Sequence, residues 1–356
     1  MKRRVEKLSR KEKKYFSKYV IGLILSGKNK SCLGVSKIVK ESHDCLYRVL
    51  CKMKKIIFPL KYFLIEKVKQ FSKVKSGNLI IDDTGILKRY SHFIEGVFYV
   101  YNVLTRTEER ALTIIVLSWS NGINTVPLGF KFFICKAIAK KEIYMTKSEL
   151  AIELLEEFYH NVPFDFLLMD GHYSTKFCML PFLCKRKIPA IMKIARDRKV
   201  TTKDGISEQL QKHPKLKLLK NARHATILAI FGESELYFSS HKRKRTDGAF
   251  ETIYLVSTVS MKAKEYVKTY AKRWEIEKMF RTMKQSLGLS ASIARKIEHQ
   301  NAHIHSVFFA YTFLQDVSFE FNYERPEVAI THLQDAKLTM AYKRMSVFNR
   351  NFGYVA

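Results

Sequence analysis

Two short apolar runs, each followed at once by an aspartate, constrain the fold of this chain more than any other feature of its sequence. Residues 79–81 lead into Asp82, and the largely apolar run 164–169 leads into Asp170. Such runs are typical of central strands that are buried on both faces. The chain is therefore predicted to adopt an α/β fold with carboxylates at the ends of central strands.

The segments around these runs support a layered sheet. An amphipathic helix is predicted over residues 146–160, and a helix and strand follow near 175–186 and 190–194. Three β-rich segments precede the first of these helices: residues 96–101, 111–117 and 125–132. Asn121-Gly122 marks a hairpin turn between the last two of them.

Residues 195–260 break this alternation. Three β-rich segments lie here, at residues 225–230, 235–239 and 251–256. Basic loops such as residues 241–245 are expected to separate them, so the pattern predicts an inserted β subdomain. A long helix is predicted over residues 262–287, and the remaining chain to residue 356 favours helices.

Positive charge points to a polyanionic partner. The sequence holds 64 Lys and Arg against 33 Asp and Glu, and residues 1–75 hold 22 of the basic and 5 of the acidic residues. Nucleic acid is favoured over an anionic membrane surface as that partner. The apolar stretch 19–26 is too short to span a bilayer, and the start of the chain lacks a signal-peptide core. A soluble, cytoplasmic protein is expected.

The basic N-terminal segment is predicted to be helical and suits a helix-turn-helix. Helical apolar spacing covers residues 35–41 and resumes over residues 45–53, and Ser42-His43-Asp44 supplies helix N-cap residues. Two short helices joined by a three-residue turn fit such a DNA-binding motif. An ordinary helical hairpin would give the same pattern, and the charge favours DNA binding.

The cysteines and histidines do not follow the spacing of a metal site. The six cysteines lack a C-x-x-C pair and are expected to be reduced and mostly buried: Cys32, Cys45, Cys51, Cys135, Cys178 and Cys184. On a helix, His299 and His303 would share a face while His305 would point elsewhere. Packing or DNA-backbone contact is therefore favoured over metal ligation.

The predicted long helix carries a mixed polar stripe. At about 100° per residue, five side chains lie close together on one face: Tyr270, Arg273, Glu277, Arg281 and Lys284. A neighbouring apolar arc should be buried: Ile276, Met279, Phe280, Met283 and Leu287. The stripe suits a metal ligand beside phosphate-binding cations. A solvated face with an Arg273–Glu277 ion pair would give the same spacing.

Asp82, Asp170 and Glu277 are the residue types that metal-dependent cutting of phosphodiesters requires. Mg²⁺ prefers carboxylate oxygens, and two such ions activate the nucleophile and stabilise the leaving oxygen. Neighbouring strands would place Asp82 and Asp170 side by side, where their charges repel unless a cation lies between them. An aspartate at a strand end is also common as a turn residue or helix cap.

The sequence resembles the bacterial insertion-sequence transposases of the "IS four" group in three ordered motifs. Tyr270-x-x-Arg273-x-x-x-Glu277-x-x-x-x-x-x-Lys284 is similar in every spacing to the Y-(2)-R-(3)-E-(6)-K signature of that group. Asp82-Asp83-Thr84 resembles its first motif, D-x-T/S, and Asp170-Gly-His-Tyr173 resembles its second. The three motifs span roughly residues 78–290.

The resemblance implies a domain organisation. A ribonuclease H-like catalytic core would cover residues 76–290 and would contain the β insertion at about 195–260. A helical, basic DNA-binding domain would precede it at residues 1–75, and a helical C-terminal region would follow at residues 291–356.

The resemblance also implies roles for individual residues. Asp82, Asp170 and Glu277 would be catalytic and would bind two Mg²⁺ ions, for which Mn²⁺ should substitute. Side chains beside them would contact DNA: Tyr270, Arg273, Trp274, Arg281 and Lys284. The partners would be double-stranded DNA, both terminal inverted repeats and target, and a second copy of the chain. Such a protein would lie with the bacterial nucleoid.

These expectations describe a DDE transposase that cuts and joins DNA at the ends of an insertion sequence. An inactive DNA-binding repressor derived from a transposase and a nuclease of other purpose remain alternatives. Asp83, next to Asp82, could be the first metal ligand instead.

The sequence departs from the group that it resembles in one respect, which concerns the formation of a hairpin at the DNA ends. Both tryptophans, Trp119 and Trp274, lie outside the β insertion. An aromatic residue that opens the DNA end by base flipping would therefore have to be Tyr237, Phe238 or Phe250.

Overall fold

A computed structural model describes residues 9–52, 54–102, 105–139, 144–218, 222–245, 247–335 and 341–346. Within these ranges, eleven strands form one mixed, mostly antiparallel sheet, and ten α-helices pack around it. Residue 53, which ends one predicted helix, lies outside the described residues, as do the chain ends 1–8 and 347–356.

The N-terminal segment forms four helices: α1 (Arg10–Leu25), α2 (Cys32–Val39), α3 (His43–Cys51) and α4 (Lys54–Ser72). A capping box starts α1, in which the Ser9 side chain accepts from the backbone of Glu12 while Glu12 accepts from the backbone of Ser9. The side chain of Ser42 caps α3, as predicted. The two short helices of the predicted motif are therefore present.

The strands are β1 (Asn78–Leu87), β2 (Phe98–Asn102), β3 (Thr107–Ser120), β4 (Thr125–Phe133), β5 (Leu167–Met169), β6 (Ala190–Lys193), β7 (Lys199–Thr201), β8 (Ser207–Gln209), β9 (His224–Phe231), β10 (Ser234–Lys244) and β11 (Phe250–Ser257). Their order is β2-β3-β1-β5-β6-β11-β10-β9-β7-β8, and β4 also pairs with β3. Among the described strands, only β1, β5 and β6 pair in parallel. The remaining helices are α5 (Lys147–Phe158), α6 (Met179–Arg186), α7 (Ala263–Tyr270), α8 (Trp274–Gln285), α9 (Ile297–Phe321) and α10 (Pro326–Asp335).

Several local predictions are confirmed. Thr146 is the N-cap of α5 and forms a capping box with Glu149. Gly122 lies between β3 and β4 with a φ of +84°, a backbone conformation that a hairpin turn needs and that glycine tolerates.

Three predictions about element boundaries and one about burial are wrong. β1 does not end at the aspartates, because its pairing with β3 continues to Leu87. The loop expected at residues 241–245 is mostly strand, since β10 pairs with β11 as far as Lys244. The long helix of residues 262–287 is interrupted by a 3₁₀ turn at Ala271–Arg273. The cysteines are free thiols as expected, but five are half-buried and Cys51 is exposed.

The strands of residues 195–260 continue the sheet, because β11 pairs with β6. Helix α9 packs against α1, α3, α4, α8 and β4, so N-terminal helices and sheet share one hydrophobic core around it. Among the described residues, no helix is both long and apolar enough to cross a membrane.

His303 lies in this core, which confirms packing for one of the three histidines of α9. Its Nε2 donates to the carbonyl of Gly288 over 2.8 Å, and its Nδ1 accepts from the hydroxyl of Tyr19 over 2.9 Å. Burial lowers the pKa of His303 to about 4.

We predict that His303 makes the protein sensitive to acid. When the pKa of a histidine is lower in the folded than in the unfolded chain, its contribution to stability is complete above the unfolded-state pKa near 6.5. This contribution is lost as the pH falls towards the folded-state pKa of about 4. The variant His303→Gln should therefore lose less of its unfolding free energy than the wild type between pH 7 and pH 4.5, by up to about 3 kcal/mol. Urea denaturation at both pH values measures the difference.

Tyr19→Phe is the matched control, because it removes one hydrogen bond of His303 but keeps the imidazole. It should lower stability at both pH values by about 1 kcal/mol and keep the wild-type pH dependence. An equal pH dependence in wild type and His303→Gln would contradict the prediction.

Candidate active site

Parallel pairing of β1 with β5 brings the first two aspartates together. The register aligns Ile81 with Met169, so Asp82 and Asp170 each follow the last paired residue of neighbouring strands. Neighbouring strands lie about 4.8 Å apart. Although Asp82 lies inside its strand, the predicted juxtaposition of the two carboxylates at one edge is therefore present.

Arg273 joins Asp82 to Glu277. Its Nη1 donates to Oδ2 of Asp82 over 2.6 Å, and its Nη2 donates to Oε1 of Glu277. Helix α8, which carries Glu277, packs against β1, and the 3₁₀ turn that ends on Arg273 packs against β5. The side chains of Arg273 and Asp82 are 15% and 16% exposed, so these charges interact in a partly dry environment.

Burial and charge together set the ionisation of Asp82. Burial raises its pKa, Arg273 lowers it, and the carboxylates of Asp83 and Asp170 raise it, which leaves the pKa of Asp82 at about 7. Burial alone would lower the pKa of Arg273, but the charges of Asp82, Tyr270 and Glu277 outweigh it and hold this pKa above its usual value. Arg273 is thus firmly cationic.

Asp83 points to a different set of partners. Its Oδ2 accepts from Nζ of Lys147 over 2.8 Å, and its Oδ1 lies 3.4 Å from the hydroxyl of the buried Tyr173. Successive side chains of a strand face opposite sides of the sheet, which separates Asp83 from its neighbour. Of the two adjacent acids, Asp82 is the one that contacts Arg273. Lys147 and Tyr173 were missed as partners because no local pattern links them to Asp83.

The polar stripe is only partly as predicted. The apolar arc is buried: Ile276, Met279, Phe280, Met283 and Leu287. Arg281 and Lys284 are exposed on α8, and Trp274 at its start is 52% exposed. Tyr270, at the end of α7, is half-buried, and burial raises its pKa. The 3₁₀ turn therefore contains Arg273 and separates Tyr270 on α7 from the other three residues of the stripe on α8.

The carboxylates fit a hard divalent metal in their chemistry. Asp82, Asp170 and Glu277 offer oxygen ligands of the kind that Mg²⁺ prefers. The guanidinium group of Arg273 lies between Asp82 and Glu277 and forms an ion pair with each. Among the described residues, no three acidic, histidine or cysteine side chains already converge as a metal site.

The structure separates the three aromatic residues named for base flipping. Phe238 is buried and Tyr237 is half-buried, whereas Phe250 is 68% exposed. Phe250 lines a cavity of about 580 Å³ together with Lys193 and Arg196. This cavity opens beside β6, the strand next to the one that leads into Asp170.

Two further histidines of α9 make packing contacts, His299 with α3 and His305 with β4. Nδ1 of His299 lies 2.8 Å from the hydroxyl of Tyr47, and its Nε2 lies 3.4 Å from Sγ of Cys51. His305 packs against Phe130 and Phe308. Part of the outer face of α3 is therefore in contact with α9.

Two family models connect the chain with the DDE class of nucleases and transposases. A family model described as "DDE superfamily endonuclease" matches residues 5–216, more than half of the chain. A second model, "Transposase DDE domain", matches residues 144–313. The chain belongs to the DDE superfamily, and its mixed α/β sheet is consistent with the ribonuclease H-like fold of such nucleases.

Comparison with individual proteins adds little. No curated protein matches the chain. One solved structure, Argonaute of Kluyveromyces polysporus with a guide RNA, is similar over 81% of this chain and 32% of its own length, with 9% identity and a TM-score of 0.25. The chain thus spans about a third of that protein, and at this TM-score the likeness carries no argument.

We predict that Asp82 destabilises the metal-free fold above neutral pH. When the pKa of a carboxyl group is higher in the folded than in the unfolded chain, the group stabilises the fold at low pH. This contribution is complete below the unfolded-state pKa near 3.9 and is lost as the pH rises through the folded-state pKa of about 7. With a chelator present, Asp82→Asn should therefore gain about 2 kcal/mol of unfolding free energy relative to the wild type between pH 4 and pH 8. Urea denaturation at these two pH values measures it.

Asp83→Asn is the matched control, because it neutralises the adjacent acid but breaks the ion pair with Lys147. It should lower stability at pH 8. If Asp82→Asn were destabilising by the same amount at both pH values, the raised pKa of Asp82 would be wrong.

Proposed function

We propose that this protein is a DNA transposase of the "IS four" group, which cuts and joins DNA at the terminal inverted repeats of an insertion sequence. The observation that carries the proposal is the contact of Arg273 with both Asp82 and Glu277, at the point where Asp170 follows the strand paired with β1, in a DDE-superfamily chain. The residues of the signature lie beside that point: Tyr270 ends α7, Arg273 ends the 3₁₀ turn, and Glu277 and Lys284 lie on α8.

In this proposal, Asp82, Asp170 and Glu277 hold two Mg²⁺ ions, for which Mn²⁺ substitutes. When bound, these ions supply activation of the attacking hydroxyl and stabilisation of the leaving oxygen. The carboxylate of Asp83 already bonds Lys147 and Tyr173. These bonds support Asp82 rather than Asp83 as the first metal ligand. Water would cut one strand and leave a 3′-hydroxyl and a 5′-phosphate. That 3′-hydroxyl would then attack the next phosphodiester in the same site, form a new phosphodiester and release the 3′-hydroxyl of the strand that it breaks.

The surface of α8 would hold the DNA end. Arg281 and Lys284 are exposed cations that suit phosphate contacts, and the exposed ring of Trp274 suits stacking against a base. Tyr270 and Arg273 lie closest to the carboxylates and would contact the terminal phosphate. The net charge of +31 supports binding of both element ends and the target.

The domains would divide this work. Residues 1–75 would read the terminal repeats through α2 and α3, residues 76–290 would carry the chemistry, and residues 291–356 would complete the helical layer. The protein would act as a homodimer near the nucleoid, one copy at each element end. If a hairpin forms, exposed Phe250 is the aromatic residue of the β insertion that could displace a base.

A cleavage assay tests the proposal. Purified protein and Mg²⁺ are added to a labelled duplex that carries the element's end, taken from the DNA that flanks the coding sequence. The wild type should cut at the element boundary, whereas Asp82→Asn, Asp170→Asn and Glu277→Gln should lose at least about a thousandfold in rate, because each loses a metal ligand.

The controls separate catalysis from binding and folding. The three variants should keep the wild-type circular dichroism and bind the duplex in anisotropy measurements. Asp83→Asn should retain cutting, because its carboxylate contacts Lys147. A wild type that binds without cutting would support the repressor, and normal cutting by any of the three variants would refute the assigned site.

A further inference from the structure

Arg273 occupies the carboxylate oxygens that a shared metal ion needs. Oδ2 of Asp82 and Oε1 of Glu277 both accept from its guanidinium group, and Oδ1 of Asp82 accepts from the backbone N–H of Asp83 over 2.9 Å. Both oxygens of Asp82 are therefore already engaged. We call this set of contacts, Asp82–Arg273–Glu277, the arginine bridge.

A shared cation and the arginine bridge would compete for the same two carboxylates. A divalent ion bound to both carboxylates would lie against a guanidinium group whose positive charge is 15% exposed and thus weakly screened. Arg273 must leave before both acids can be shared by a metal ion. Its side chain needs another anion to bind when it leaves, because a half-buried cation without a partner is unfavourable.

A DNA phosphate is the anion that fits. The planar guanidinium group binds phosphate in the same two-pronged geometry in which it binds carboxylates. Exposed Arg281 and Lys284 lie on the same helix and would bring the phosphate backbone to its N-terminal end, where Arg273 lies. The exchange would move one ion pair from the protein to the DNA without burying an unpaired charge.

We propose that the arginine bridge keeps metal affinity low until DNA arrives, and that a DNA phosphate opens the site by drawing Arg273 away. This inference rests on the proposed function, since it takes Asp82 and Glu277 as metal ligands. It adds that DNA and metal strengthen each other's binding by the same factor, as linkage requires. A protein free of DNA would then hold little metal and would cut little.

Metal binding to the DNA-free full chain is the first test. Electron paramagnetic resonance measures free Mn²⁺ during titration of the wild type, Arg273→Ala, Arg273→Lys and Arg281→Ala. Arg273→Ala should bind Mn²⁺ at least about tenfold more tightly than the wild type, because the competing cation is gone. Arg273→Lys keeps the charge but not the two-pronged geometry, so its affinity for Mn²⁺ should lie between those of the wild type and Arg273→Ala. Arg281→Ala, which removes the same charge elsewhere on α8, should stay within about twofold of the wild type.

The outcomes separate this inference from the proposed function. Equal Mn²⁺ affinity in wild type and Arg273→Ala would overturn the arginine bridge but leave the metal site intact. An equal gain in Arg281→Ala would overturn it as well, because net charge alone would then explain the effect. Asp82→Asn is titrated beside them. If neither the wild type nor any folded variant binds Mn²⁺ more tightly than Asp82→Asn does, the metal site itself is wrong.

The second test measures the reciprocal effect. Anisotropy gives the affinity for the labelled element-end duplex with Ca²⁺ or with NaCl of the same ionic strength. Ca²⁺ should strengthen DNA binding by the wild type about fivefold or more and should have a much smaller effect on Arg273→Ala, which has no bridge to open. The same response to Ca²⁺ in both proteins would overturn the coupling.

Discussion

The site depends on the parallel pairing of β1 with β5. Because Ile81 lies opposite Met169, the next residue of each strand is an aspartate, and both carboxylates reach one edge of the sheet. Register is decisive here, since a shift by one residue would turn one carboxylate to the other face. Fully buried side chains hold this register, among them Leu79, Ile80 and Ile81 in β1 and Leu167 and Leu168 in β5.

Charge balance at that edge is the next constraint. Burial raises the pKa of Asp82, and the neighbouring carboxylates add to this effect, whereas Arg273 opposes it. The sequence places this arginine on a 3₁₀ turn rather than inside a regular helix, so one side chain reaches both the strand and Glu277 one turn further on. The fold thus accepts a local electrostatic cost where the proposed chemistry needs a cation.

The sequence predicted the parts of this site better than their boundaries. Apolar runs identified the central strands and the residues that follow them, because burial on both faces leaves a strong local signal. The continuation of β1 to Leu87 and the break at Ala271–Arg273 left no such signal, since each depends on contacts with distant elements. The ion pair of Asp83 with Lys147 joins residues 64 positions apart and could not be derived from spacing.

The position of Glu277 is in turn tied to the N-terminal helices through a chain of buried polar contacts. Lys88, just after β1, donates to the carbonyls of Ser290 and Ser292 in the connection between α8 and α9. His303 of α9 bonds both the carbonyl of Gly288 in that connection and the hydroxyl of Tyr19 in α1. Since buried polar groups are costly to leave unpaired, these bonds fix the end of α8 relative to β1 and α1 together. DNA held by the N-terminal helices would therefore meet carboxylates whose distance from it is set by the core rather than by a flexible linker.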